Sequence, residues 1–163
     1  MNKKTIIILA VVIITVILGT WWIITAPQRN ITKILETSAE LAENSLLDSP
    51  EAKIEKSQKL VLNFSQAATI EWQENGALSS GELSGREEIY QKILAAKNSV
   101  SYQIELSDIV IEISADKKLA TAKFNLVTTQ RQNVLAYQAI ARLGRGGGQW
   151  QITKIILTSV LHK

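Results

Sequence analysis

The chain has 163 residues, 46% of them hydrophobic, with 18 Lys+Arg, 15 Asp+Glu, one histidine and no cysteine. That length suits one domain with an appendage, and the lack of cysteine rules out a disulfide framework and a thiolate metal site. A lone histidine also removes His-rich metal ligation, so no metal and no cofactor is expected.

From the N-terminus, Thr5 to Thr25 is a run of 21 residues without a charge. As a helix it would span about 31 Å, close to the roughly 30 Å of a bilayer's hydrocarbon core. Trp21 and Trp22 lie at its far end, where aromatic rings favour the headgroup zone, and Lys3 and Lys4 precede it. Residues 1–27 therefore read as an uncleaved signal-anchor, a single transmembrane helix with its N-terminus in the cytoplasm. Residues 28–163 would then form an extracytoplasmic domain at the cell membrane. A cleaved signal peptide is the rival reading. Against it stand the length of the apolar run, Ile24 three residues before a cut after Ala26, and Pro27 directly after that cut.

After Pro27, Gln28 to Asn44 reads as a helix with Ile31, Ile34, Leu35, Leu41 and Ala42 on one stripe. Ser49-Pro50-Glu51 starts a second helix, a capping hydroxyl followed by proline in the first turn, which runs to about Leu62 with Ile54 and Val61 inward. Lys53, Lys56 and Lys59 read as a solvated face. Ala67 to Gln73 alternates as a strand through Ala68, Ile70 and Trp72; Glu74-Asn75-Gly76 turns, and Leu78 to Leu83 pairs back. Ser84-Gly85-Arg86-Glu87 has capping-box spacing and opens a third helix with Ile89, Ile93 and Ala96 inward and Asn98 as its C-cap.

Ser99 to Leu161 then alternates as long strands. Tyr102, Ile104 and Leu106 share a face, and the phase flips at Ser107-Asp108 to Ile109, Ile111 and Ile113, which predicts a β-bulge. Ala115 to Lys118 and Gln130 to Asn133 are turns between strands carrying Ala120, Ala122, Phe124 and Leu126, then Leu135, Tyr137, Ala139, Ala141 and Leu143. Gly144 to Gly148 reads as a loop. Trp150 and Ile152 open a last strand whose phase slips near Lys154 to Ile155, Leu157 and Ser159. The fold class is α+β: a strongly curved antiparallel sheet wrapped around about three helices in a cone, preceded by the transmembrane helix.

Charge is segregated. All 15 acids fall in residues 28–116, whereas residues 117–163 hold eight Lys+Arg and no acid. Acidic helices balancing basic strands within one fold is one reading; basic strands touching anionic lipid or an acidic partner is another. Nucleic acid is not expected for an extracytoplasmic domain.

This order of elements resembles the nuclear transport factor 2-like superfamily, in its SnoaL-like branch. The residues that carry the resemblance are Ala68-Thr69-Ile70-Glu71, Leu83-Ser84-Gly85-Arg86-Glu87-Glu88-Ile89 and Gln149-Trp150-Gln151-Ile152. The resemblance spans about Gln28 to Leu161 and implies a cone with a pocket at its wide end. It also implies, for enzymes of isomerase or dehydratase type, a base after the first-strand motif, an acid in the penultimate long strand and a first-helix tyrosine. Trp72 and Ala139 occupy the first two places, and the first helix has no tyrosine.

The chemistry-bearing candidates are few. His162 sits beside the C-terminus, a poor place for a catalytic base. Glu71 should face away from Trp72, because neighbours on a strand point to opposite sides. Arg145 among glycines lacks the strand-loop-helix context of a phosphate site. Trp72, Tyr90, Tyr102, Phe124 and Tyr137 either fill the core or line an apolar ligand pocket. The sequence thus favours a non-catalytic domain binding a small apolar ligand or a protein partner. The alternatives are an isomerase- or dehydratase-type enzyme using Asp108, Tyr102 and Tyr137, and a homodimeric scaffold subunit of a membrane complex joined through the sheet. Similar anchored domains scaffold type IV secretion assemblies.

Overall fold

A computed structural model describes residues 26–73, 80–131 and 133–160. Residues 1–25 of the expected 1–27 anchor, the Glu74-Asn75-Gly76 turn and His162 lie outside the described residues, among which no helix is long and apolar enough to cross a membrane.

Helix α1 is described over residues 26–42 and buries Ile31 and Leu35, with Ile34, Leu41 and Ala42 packed beside them. The predicted stripe is therefore the packed one. Helix α2 spans Pro50–Leu62, with Ser49 as N-cap accepting from the Ala52 N–H and proline in the first turn. Its inward face is Ser57, Leu60 and Val61, whereas Ile54, expected inward, is 40% exposed. The small Ser57 takes the inward place, its hydroxyl satisfied by the Lys53 carbonyl at 2.8 Å. Of the lysines expected on a solvated face, Lys56 pairs with Asp48 and Lys59 with Glu55.

Strand β1 (Phe64–Gln73) pairs antiparallel with β2 (Ser80–Ser84), and helix α3 follows over Arg86–Ser99. The expected capping box does not form. Gly85 is the N-cap, at φ 88°, and it is Glu88 whose carboxylate accepts from the Ser84 N–H at 2.8 Å. Glycine takes a positive φ without steric cost, which lets the chain turn sharply from strand to helix. The helix also passes Asn98 and ends at Val100 in extended conformation.

Four long strands complete the sheet: β3 (Gln103–Ile113), β4 (Leu119–Gln130), β5 (Asn133–Gly146) and β6 (Gln149–Ser159). The order is β2-β1-β6-β5-β4-β3. The β3–β4 register shifts between Ser107 and Val110, with Asp108 at φ 53°, where the phase flip predicted a bulge. A second shift, between Arg142 and Leu143 on β5, leaves Thr153 of β6 as the extra residue. Each extra residue bends its strand and raises the local twist, and the sheet curves around the helices.

Two expectations need correction. The sheet is mixed, because β1 runs parallel to β6. A strand that enters after a helix, from far away in sequence, is free to pair in either sense, and only the short hairpins force antiparallel pairing. The Gly144–Gly148 loop is also shorter than predicted: Gly144, Arg145 and Gly146 continue β5 opposite Gln151, Trp150 and Gln149, and only Gly147 and Gly148, both at positive φ, make the turn.

The core lies between the helices and the concave face of the sheet. Ala120, Ala122 and Phe124 of β4 and Ala139, Ala141 and Leu143 of β5 are buried there. The small alanines leave room for the helices that cover this face, and the larger Ile31, Ile89 and Ile152 are buried in the same cluster.

Candidate functional site

Where the concave face widens, helices and sheet do not meet. A partly open cavity of about 180 Å³ remains. Helix α1 contributes Leu35, Ser38, Ala39 and Ala42, α3 contributes Ile93, and the sheet contributes Ile70, Ile104, Leu106, Phe124, Leu126 and Ile155, among others. The residues alternate along each strand as period two requires, so Ile104 and Leu106 face inward while Glu105 is exposed. Ser38 is the one hydroxyl in the wall, and it accepts a hydrogen bond from the Asn63 side-chain amide at 2.9 Å. The wall holds no carboxylate, imidazole or phenol.

Of the five aromatic pocket candidates, Phe124 lines this cavity. Trp72 lies opposite Gly81 on β2, and its indole fills the space that a Cβ on Gly81 would need. Tyr90 lines a separate outer groove with Val61, Leu62 and Arg86. Tyr102 stands at the start of β3, its backbone bridged to Asn44, with its phenol pKa raised by burial. Tyr137 pairs across β4 with Leu126 and across β6 with Ser159. The structure thus spreads the aromatic set over several places around the cone.

The acid–phenol constellation is not assembled either. Asp108 is exposed; it accepts from the Asn125 side-chain amide at 2.7 Å and lines an outer depression with Lys123, Gln138 and Thr158. These are the residues that alternate with the cavity-facing ones, so Asp108 lies on the convex side. Glu71 also faces outward, paired with Lys154 at 2.5 Å. Ala139 is 2% exposed, so no side-chain acid or base occupies that position in the core. Among the described residues no group of three or more acids, histidines or cysteines could hold a metal ion.

Sequence reasoning missed a polar knot at the far end of α1. Lys97 has no exposed surface, and its ammonium donates to the carbonyls of Leu41 (2.8 Å) and Glu43 (2.5 Å). The Asn44 side-chain amide donates back to the carbonyls of Lys97 (2.7 Å) and Val100, and the Glu43 carboxylate accepts from the Ile104 N–H at 3.1 Å. Desolvation, with repulsion from Lys56 next in size, lowers the Lys97 pKa to about 8. A signal for this residue did exist. Lys97 lies four residues after Ile93 and eight after Ile89, on the buried stripe of α3. Beside the knot is a polar cleft of about 400 Å³ lined by Glu43, Asn44, Lys56, Tyr102 and Arg131, among others.

No protein-family pattern and no curated protein matches the chain by sequence. Solved structures do match it by fold. A nuclear transport factor 2-like protein with a cystatin-like fold from Novosphingobium aromaticivorans superposes with a TM-score of 0.65 at 14% identity, over 90% of this chain and 90% of that one. A protein from the same organism named as a scytalone dehydratase gives 0.64 at 15% identity, over 82% of this chain and 84% of that one. Another, named as the beta subunit of an aromatic-ring-hydroxylating dioxygenase, gives 0.65 at 10% identity, over 86% and 94%. At these identities the likeness is one of fold alone: this chain has a cystatin-like fold.

Proposed function

We propose that this protein is a membrane-anchored, extracytoplasmic, non-catalytic domain that holds a small apolar molecule in its cone. The observation that carries the reading is the makeup of the cavity wall: hydrocarbon side chains and one hydroxyl already engaged with Asn63. Such a wall can select a ligand by size and apolarity, but it offers no group to move a proton. Some structural neighbours are named as a dehydratase and a dioxygenase subunit. Asp108, Tyr102 and Tyr137, the groups a comparable reaction would call on here, do not line the cavity.

Size narrows the ligand class. A dry cavity of about 150 Å³ lined by Leu, Ile and Phe is enough to take up benzene. The cavity here, at about 180 Å³, suits a single ring or a short branched chain. Placement at the membrane rests on the uncharged run Thr5–Thr25, the Trp21-Trp22 pair and the preceding lysines.

The test is methyl NMR on the full chain in lipid nanodiscs, titrated with benzene. Saturable shifts are expected at Leu35, Ile93, Leu106 and Leu126, and Ala39→Leu, which fills the cavity, should abolish them. Shifts that grow linearly without saturating, or that survive Ala39→Leu, would sink the reading.

A further inference from the structure

The end of the cone from which α1 departs carries a basic cluster made of segments distant in sequence. The β3–β4 turn presents Lys117, at φ 55°, and Lys118; the end of β5 presents Arg145; all three are exposed. The Arg145 N–H donates to the Lys118 carbonyl at 2.8 Å, which ties the two hairpin tips together. Exposed Lys33 of α1 shares a groove with Gly148 and Gln149 of the neighbouring β5–β6 turn. One acid, Asp116, lies within the β3–β4 turn, and its carboxylate accepts from the Ser114 hydroxyl (2.5 Å) and the Lys118 N–H (3.1 Å). Leu119, at the base of the same turn, is 62% exposed. Cations gathered at one tip with exposed hydrocarbon beside them fit a polyanionic, partly apolar surface.

Chain geometry says which surface. Lys33 follows the last residue of the uncharged run, Thr25, by eight positions, or about 12 Å along a helix axis. The headgroup zone on each side of a bilayer is roughly 5–8 Å thick. Lys33 would therefore stand within a Debye length, about 8 Å at physiological salt, of the lipid phosphates, with the β5–β6 turn beside it. We propose that the two hairpin tips, through Lys117, Lys118 and Arg145, together with Lys33 of α1, dock on the anionic phospholipid headgroups of the membrane in which the chain is anchored, fixing the orientation of the cone. This rests on the anchored reading above, not on the ligand reading.

The chain has no cysteine, so a single label can be placed cleanly. Full-length Ala115→Cys carries a fluorophore at the β3–β4 tip, and Leu47→Cys, 95% exposed in the native chain, carries it near the opposite end. Both are incorporated into nanodiscs containing a headgroup quencher, with either 30% phosphatidylglycerol or phosphatidylcholine alone. Quenching at position 115 is expected to be roughly fivefold or more stronger in the anionic discs, given the attraction of each cation near such a surface. The difference should vanish in 0.5 M NaCl and in the Lys117→Gln, Lys118→Gln, Arg145→Gln triple variant, with no lipid dependence at position 47. Incorporation with equal quenching in both lipids overturns this proposal alone. A chain that elutes apart from the discs overturns the anchored reading and this proposal with it. The lipid and salt arms use no charge variant, so the outcome does not depend on the triple variant folding.

Discussion

Helix α1 meets the rest of the fold in two different ways. Along its middle, Leu35, Ser38 and Ala39 face the partly open cavity. At its end, Leu41 and Glu43 face Lys97, buried without exposed surface. The difference follows from the backbone. In mid-helix every N–H and C=O is already paired within the helix, so hydrocarbon can border empty space at the cost only of lost dispersion contacts. The last carbonyls of a helix have no such partner and need donors when they are buried. A lysine on the neighbouring helix supplies them, and its positive charge also suits the negative end of the helix dipole. The fold thus tolerates an apolar cavity where the backbone is satisfied and places a charged donor where it is not.

The strongest way to break this contrast is Lys97→Ala. It removes both donors and leaves a void in one step, and the expected loss is about 3–4 kcal/mol. Chemical unfolding of the full chain would measure it; a loss below about 1 kcal/mol would mean that water replaces the ammonium easily.

The next effect is on pH. The Lys97 pKa is about 8 in the folded chain, against an ordinary 10.5. Between these values the unfolded chain binds more protons, so stability contributed by this group rises with pH. The stability difference between the wild-type chain and Lys97→Met should grow by about 2 kcal/mol in favour of wild type from pH 8 to 9.5. The Tyr102 phenol, whose pKa is raised by burial, is present in both chains and cancels from this difference. A flat difference across pH 8–9.5 would show that Lys97 is not desolvated.

On the other side of the contrast, Ala39→Leu puts hydrocarbon into the gap. Added contacts without a lost hydrogen bond should stabilise the chain by about 1 kcal/mol, the reverse in sign of Lys97→Ala. A destabilised Ala39→Leu chain would mean that the cavity wall is already close-packed.

The same contrast explains what the sequence revealed. Apolar period is a direct readout of burial, so the α1 stripe, the inward Ala120-Ala122-Phe124 face and both bulges were legible in advance. The α2 cap was legible too, because Ser49 and Pro50 act locally. Pairings between distant segments were not. The parallel β1–β6 contact depends on closure of the sheet, and although spacing puts Lys97 on the buried stripe of α3, its partners Leu41 and Glu43 cannot be read from that helix. The aromatic candidates left two readings open for a related reason: large rings mark buried space without marking whether it is filled. Trp72 spends its indole on Gly81, and the cavity wall is mostly aliphatic.

The smallest test concerns the one polar atom in the cavity wall. Ser38 Oγ lies among hydrocarbon, yet its partner, the Asn63 side-chain amide, comes from the C-cap of α2. If the hydroxyl serves helix docking, Ser38→Ala should cost about 1 kcal/mol, the usual net worth of one hydrogen bond, because half-buried Asn63 can still reach water. Benzene affinity should stay within about twofold, since the wall gains no volume and loses no group turned toward the ligand. The two readouts separate the roles of the residue. A loss of stability at unchanged affinity assigns Ser38 to the docking of α2 on α1. A loss of affinity at unchanged stability would make it a polar handle for the ligand, and the ligand class would then have to include a hydrogen-bonding group.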